Sequence, residues 1–153
     1  MNSEDVKKML GNPKITFVLG GPAAGKGTQC DKLVEEFGYQ HISTGDLMRA
    51  EIDKGTREGD RIKKIVSSGG IVPHETTVQL LLNAMIANPA KNYLIDGFPR
   101  AVDQAIYFEQ NVCEAQRVVF YDAEEEILVS RCLERAKTSG RADDTEEVLK
   151  KRL

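Results

Sequence analysis

The stretch ITFVLGGPAAGKGT, residues 15–28, decides the fold. Its first half, Ile15–Leu19, is a short β-branched and apolar run that suits a strand buried on both faces. It stops at Gly20-Gly21 and gives way to a segment with helical periodicity from about Lys26 to Phe37, with Leu33, Val34 and Phe37 on one face and Gly38 just past the end. A glycine-rich turn between a buried strand and a helix can aim successive backbone N–H groups at one phosphate, and the helix N-terminus adds its positive dipole end. Lys26 would reach that phosphate, and Thr28 would offer a hydroxyl to phosphate or Mg²⁺. The plainer alternative, a turn and cap with a surface lysine, leaves the flanking strand and helix without a purpose in common.

Outward from this loop the chain alternates between the two periodicities. Ser43 and Asp46 have capping-box spacing and open a second helix through Ile52. Another runs through Ile62, Ile65 and Val66 and stops at Gly69-Gly70; Val78, Leu81, Leu82, Met85 and Ile86 mark an amphipathic helix ended by Asn88-Pro89. Tyr93–Asp96 reads as a second buried strand and 117–122 as a third, with helical composition over Ala101–Gln110 between them. A helix over 124–137 follows, with Ile127, Leu128 and Leu133 inward, and a last helix begins near Asp144. Strands alternating with helices predict a three-layer α/β/α domain around a parallel sheet, whose ligand site lies at the carboxyl ends of the strands.

Composition bounds the rest. A chain of 153 residues with 41% hydrophobic and 29% charged residues makes one domain with a core of its own. No apolar run approaches the roughly 18 residues of a membrane span, and the mixed charge of the first ten residues fits neither a signal nor a transit peptide. Net charge is −3, so neither nucleic acid nor membrane is an expected partner, and the positive field for an anionic ligand must be local. The three cysteines, Cys30, Cys113 and Cys132, show no CxxC spacing; reduced thiols in a cytoplasmic protein are expected rather than a disulfide framework or a structural zinc site. His41 and His74 have no ligand partners at suggestive spacing and read as structural or surface residues.

Gly27 stands between the lysine and the threonine of the loop, and this variant resembles the nucleoside-monophosphate kinases, adenylate kinases and UMP-CMP kinases among them. Ala23 stands where that family usually has glycine. The resemblance continues through Ser43-Thr44-Gly45-Asp46-Leu47 with Arg49, Gly70-Ile71-Val72-Pro73, the run from Leu94 to Arg100 (LIDGFPR) with Gln104, and 139–144 (SGRADD). It implies a single kinase domain over 1–153, with a monophosphate-binding region at 43–72 and a short lid without zinc at 134–144. It further implies that the fifth strand and final helix of the family are absent, which would leave the third predicted strand as an exposed edge. A monomer is the family expectation, and an edge-to-edge dimer is the hazard such an edge carries.

The site residues follow from the same resemblance. ATP would lie against Ala23, Ala24, Gly25, Lys26, Gly27 and Thr28, with Arg131 toward the adenine and Arg135 toward the phosphates. AMP would lie against Thr44, Arg49, Gly70, Ile71, Val72, Gly97, Phe98, Pro99, Arg100 and Gln104, with Arg49 and Arg100 on its phosphate. Arg141 and Arg152 would meet the transferring group, making Lys26, Arg100, Arg135, Arg141 and Arg152 the catalytic set, with Asp143 and Asp144 anchoring the closed lid. Asp96, with Thr28, would organise Mg²⁺ through water.

The expected reaction is ATP + AMP = 2 ADP. Thr44 and Gln104 favour AMP, whereas Cys132-Leu-Glu-Arg135 also looks like the UMP-CMP branch, so UMP-CMP kinase is the alternative. A nucleotide-binding chain without turnover is a second alternative, carried by Ala23 and the early stop. A small GTPase would need an Asn-Lys-x-Asp motif, which does not occur.

Overall fold

The computed structural model describes residues 3–20, 26–121 and 124–139. Its elements run α1 (Ser3–Met9), β1 (Lys14–Gly20), α2 (Lys26–Phe37), β2 (Gln40–Ser43), α3 (Thr44–Asp53), α4 (Arg57–Ser67), α5 (His74–Ala87), β3 (Asn92–Asp96), α6 (Val102–Asn111), β4 (Arg117–Tyr121) and α7 (Glu125–Ser139). The four strands form one parallel sheet in the order β2-β3-β1-β4. The α/β architecture expected from the alternating pattern is therefore present. The helix expected near Asp144 lies outside the described residues.

Alternation along the two central strands divides the core. Ile15 and Phe17 of β1, Tyr93 and Ile95 of β3 and Ile42 of β2 point to one face, where Val6, Val78, Leu81, Met85 and Phe108 from α1, α5 and α6, with Val112 just past α6, cover them. Val18 and Leu94 point to the other face and pack with Cys30 and Leu33 of α2. The first face is held by an aromatic cluster: Phe17 lies 5.4 Å from Phe108 and 5.6 Å from Phe98, both edge-on. Truncating one such ring to alanine typically costs about 3–5 kcal/mol. Tyr93 is fully buried on this face, and its hydroxyl sits 2.8 Å from the Asn88 carbonyl and accepts the Ala90 N–H at 3.0 Å. That pairing makes a buried phenol tolerable and fixes the end of α5 to the start of β3.

A smaller cluster of Met48, Ile62 and Val72, joined by Ile52, Ile65 and Val66, forms where α3 and α4 meet. Both helices are capped: the Ser43 hydroxyl accepts the Asp46 N–H at 3.3 Å, as its spacing predicts, and the Thr56 hydroxyl accepts the Gly59 N–H at 3.0 Å. Each such cap is worth about 1 kcal/mol. The approach of the two helices depends on Gly59, because a Cβ there would lie 2.3 Å from the Glu51 carbonyl oxygen.

Several expectations need correction. β2 and α1 were not anticipated, β2 because only Ile42 of its four residues is a buried apolar one. Among the described residues β4 is the sheet edge with Val118, Val119 and Phe120 exposed on it, which matches the exposed edge implied by the family resemblance and corrects only the reading of 117–122 as buried. On α7, Leu128 and Cys132 are buried and four residues apart, whereas Ile127 and Leu133 are exposed. On α2, Leu33 is half-buried while Val34 and Phe37 are exposed.

Gly59→Ala is expected to destabilise the chain by about 1–3 kcal/mol, since carbonyl and helix backbone must both shift. Urea denaturation checks this; a midpoint equal to wild type would contradict the close approach.

Candidate functional site

The parallel sheet brings the ends of β1, β2 and β3 together, and Asp96 sits at their centre. Its Cα is in register with Val18 on one side and Ser43 on the other. The next residue, Gly97, turns away with φ of +78° and donates its N–H to the Val18 carbonyl at 3.1 Å. Thr44, buried at the start of α3, donates its hydroxyl to the Asp96 carbonyl at 3.0 Å. A Cβ at residue 97 would meet Thr44 Oγ1 at 2.9 Å and Arg100 Nη2 at 3.8 Å, so glycine is required both by the backbone and by the space.

The turn that follows places Arg100. Phe98 is buried in the aromatic cluster, the Phe98–Pro99 peptide is cis, and Arg100 Nε donates to the Gly97 carbonyl at 3.2 Å. Gln104, 3% exposed, locks the turn from below: its Oε1 accepts the Arg100 N–H at 2.8 Å and its Nε2 donates to the Val72 carbonyl at 3.2 Å. Expected as a group for a base edge, this amide has one N–H and one lone pair engaged with backbone, which leaves its second N–H and second lone pair for a base. Arg49 lies along the first turn of α3, paired with Asp46 and close against Gly45. Val72 is buried in the α3–α4 cluster, and Ile71 beside it is exposed.

Thr44, Val72, Asp96, Gly97, Arg100 and Gln104 are thus joined in one chain of contacts around the end of β3. On α7, Arg131 is exposed and Arg135 is half-buried with Nη2 3.8 Å from Cys132 Sγ. Lys26 and Gly27 open α2, with Thr28 exposed on its first turn. Ala23, Ala24, Gly25, Arg141, Asp143, Asp144 and Arg152 lie outside the described residues.

The surroundings of the Asp96 carboxylate were not foreseen. His41 of β2 and Cys30 of α2 face it from neighbouring elements, with His41 Nε2 3.3 Å from Asp96 Oδ2. Alternation from Ser43 back to His41 puts both on the face of Asp96, a signal that would have been usable had β2 been recognised. The Asp96 hydrogen bond, then that of Cys30, pushes the His41 imidazole up to about 10, against the opposing effect of burial. Among the described residues Asp96 Oδ1 is buried and has no hydrogen-bond partner. Such an oxygen is costly to leave alone and is a hard ligand awaiting a cation or ordered water. The Arg100 guanidinium and a buried carboxylate therefore both lie at the carboxyl end of β3.

A histidine whose folded value lies above its ordinary 6.5 contributes stability in full below about 6.5 and loses it as pH rises through about 10. His41→Gln is thus expected to narrow its stability deficit against wild type between pH 6 and pH 10. Denaturant midpoints in chelator-treated buffer check this; a deficit independent of pH would contradict it.

Residues 18–153 match the family model described as adenylate kinase. The chain is 45% identical to "Adenylate kinase isoenzyme 1" of Homo sapiens over 97% of its own length and 77% of that protein. It is 48% identical to "Adenylate kinase 1" of Schistosoma mansoni over 94% of its length and 74% of that protein. It is 51% identical to "Uridylate kinase" of Saccharomyces cerevisiae over 91% of its length and 70% of that protein. With a parallel sheet, a glycine-rich sequence ahead of α2 and a family match running from β1 onward, the chain belongs to the adenylate kinase family.

Proposed function

We propose that this chain transfers the γ-phosphoryl group of ATP reversibly to AMP, forming two ADP. The observation that carries the acceptor side is the fixed turn at the end of β3, where Gln104 and Gly97 hold Arg100 beside Thr44 and Asp96. Arg100 and Arg49 bind the AMP phosphate through paired guanidinium bonds, and Thr44, Val72 and Gln104 border its base. The donor phosphates lie against the loop at residues 23–28, with Lys26, Arg135, Arg141 and Arg152 neutralising charge on the passing group and Arg131 near the ATP base.

The acceptor is a phosphate oxygen whose second pKa is about 6, so it is largely ionised at neutral pH and needs no general base. Catalysis then rests on holding donor and acceptor in line and on cations that meet charge as it develops. The orphaned Asp96 Oδ1 and the exposed Thr28 hydroxyl suit a hard cation bound in part through water. Mg²⁺, when bound there, supplies charge neutralisation between the donor phosphates. Regions 43–72 and 134–144 are read as the two segments that close over AMP and ATP and exclude water; Asp143 and Asp144 anchor the second.

Thr44 and Gln104 support AMP over a pyrimidine acceptor, because an amide can both donate to and accept from the adenine edge. UMP or CMP is the alternative favoured by the similarity to a uridylate kinase. Binding without turnover remains the reading that Ala23 would favour. No helix among the described residues is long and apolar enough to cross a membrane; a cytosolic enzyme fits the reduced-thiol reading of the three cysteines, and a monomer is the family expectation.

A coupled assay offering ATP with AMP, UMP or CMP tests the reading, with AMP the expected acceptor; nucleotide binding without ADP formation would overturn it. In the same assay Arg100→Ala should lower kcat/KM for AMP by about 10²–10³-fold while leaving ATP affinity close to wild type. Equal losses on both nucleotides would contradict the role given to Arg100.

A further inference from the structure

Cys30, His41 and Asp96 come from three separate elements, α2, β2 and β3, and their ligand atoms all lie within 4.8 Å of one another. Cys30 has no exposed surface, Asp96 is 7% exposed and the His41 side chain is 19% exposed, so the cluster is enclosed with one side open. A tetrahedral zinc site with bonds of about 2.0–2.3 Å places its ligand atoms about 3.3–3.8 Å apart. His41 Nε2 and Asp96 Oδ2 already stand at 3.3 Å, and the Cys30 sulfur, within 4.8 Å of both, needs to close by no more than about 1.3 Å to reach the roughly 3.5 Å expected between sulfur and nitrogen or oxygen.

We propose that Cys30 Sγ, His41 Nε2 and the Asp96 carboxylate form a binding site for a soft divalent cation of the Zn²⁺ class, with a fourth position left to water. The donor set selects the ion. A thiolate and an imidazole favour Zn²⁺ over Mg²⁺, which prefers oxygen ligands in an octahedron. The second oxygen, Asp96 Oδ1, has no hydrogen-bond partner among the described residues, so the carboxylate retains acceptor capacity beyond the histidine contact. Binding forms Zn–S, Zn–N and Zn–O bonds and releases the thiol proton and the proton between His41 and Asp96 to solvent, with no change in oxidation state.

The site goes beyond the phosphotransfer reading and touches it at one residue. Asp96 is the carboxylate assigned there to organising Mg²⁺ through water; with Zn²⁺ on it, less of its charge is left for that role. Zn²⁺ therefore acts as an inhibitor of turnover that works through the floor of the site.

The test uses the full chain, freed of metal by chelator and without nucleotide. Calorimetric titration with Zn²⁺ is expected to show a single tight site, and Co²⁺ in its place should give thiolate-to-metal charge-transfer absorption in the near ultraviolet. Cys30→Ser and His41→Asn should each weaken Zn²⁺ binding by at least about tenfold. Cys113→Ser, which removes another buried thiol, should leave it unchanged. Binding that survives both Cys30→Ser and His41→Asn, or a cobalt complex of the wild-type chain without the thiolate band, would overturn the site. The cobalt spectrum needs no variant, so a Cys30 variant that fails to fold does not protect the proposal. Zn²⁺ should also slow ADP formation by the wild type and not by His41→Asn; binding at these residues without inhibition would overturn the link to turnover. A chain that forms no ADP yet binds Zn²⁺ through Cys30 and His41 would overturn the kinase reading and leave the metal site standing.

Discussion

The arrangement depends on one constraint: β3 is a central strand that must stop at Asp96 while still bonded on both sides. Parallel pairing puts Val18 and Ser43 abreast of Asp96, so the ends of three strands are brought level. The chain then has to leave the sheet at once, and Gly97 does so in a conformation that other residues adopt at a cost of about 1–3 kcal/mol. Its N–H stays on the Val18 carbonyl, and the Thr44 hydroxyl takes the Asp96 carbonyl. These two bonds satisfy the backbone of the strand end and at the same time fix where α3 begins and where Arg100 emerges. Stability and function share the same few atoms here.

From that junction charge is distributed with little freedom. The carboxylate of Asp96 lies on the α2 face of the sheet, enclosed with His41 and Cys30, and the guanidinium of Arg100 lies beyond Gly97. Net charge of −3 would not suggest a protein that gathers polyanions. Arg100 at the end of β3 supplies positive charge locally, without the whole surface being basic. Gln104 serves the junction from beneath by joining the residue 72 segment to the Arg100 turn, so the two sides of the proposed acceptor site are tied through one buried side chain.

Much of this was legible because local chemistry and tertiary demand agreed. The helix from Lys26 to Phe37, the Ser43 cap and the stop at Asn88-Pro89 each follow from backbone rules that operate within a few residues. What escaped was set by distant neighbours. The composition of Val118 to Phe120 alone reads as a buried strand; their place at an edge among the described residues was legible only through the family resemblance, because burial is decided by what lies alongside. The four residues Gln40–Ser43 form a strand because β3 offers them hydrogen bonds, and without β2 nothing in the sequence brings His41 to Asp96, 55 positions away. For the same reason Gln104 could be recognised as a polar group near the site but not as one already engaged with backbone.

The central claim is that donor and acceptor sites are built into one cleft at the carboxyl end of the sheet, so that two adenine nucleotides bind in line. A molecule joining two adenosines through a polyphosphate chain spans both sites and measures this most directly by calorimetric titration. The account predicts that a single such molecule binds per chain, excludes both ATP and AMP, and binds about 10²-fold or more tighter than either nucleotide alone. Binding no tighter than that of ATP, with AMP still able to bind alongside, would contradict it.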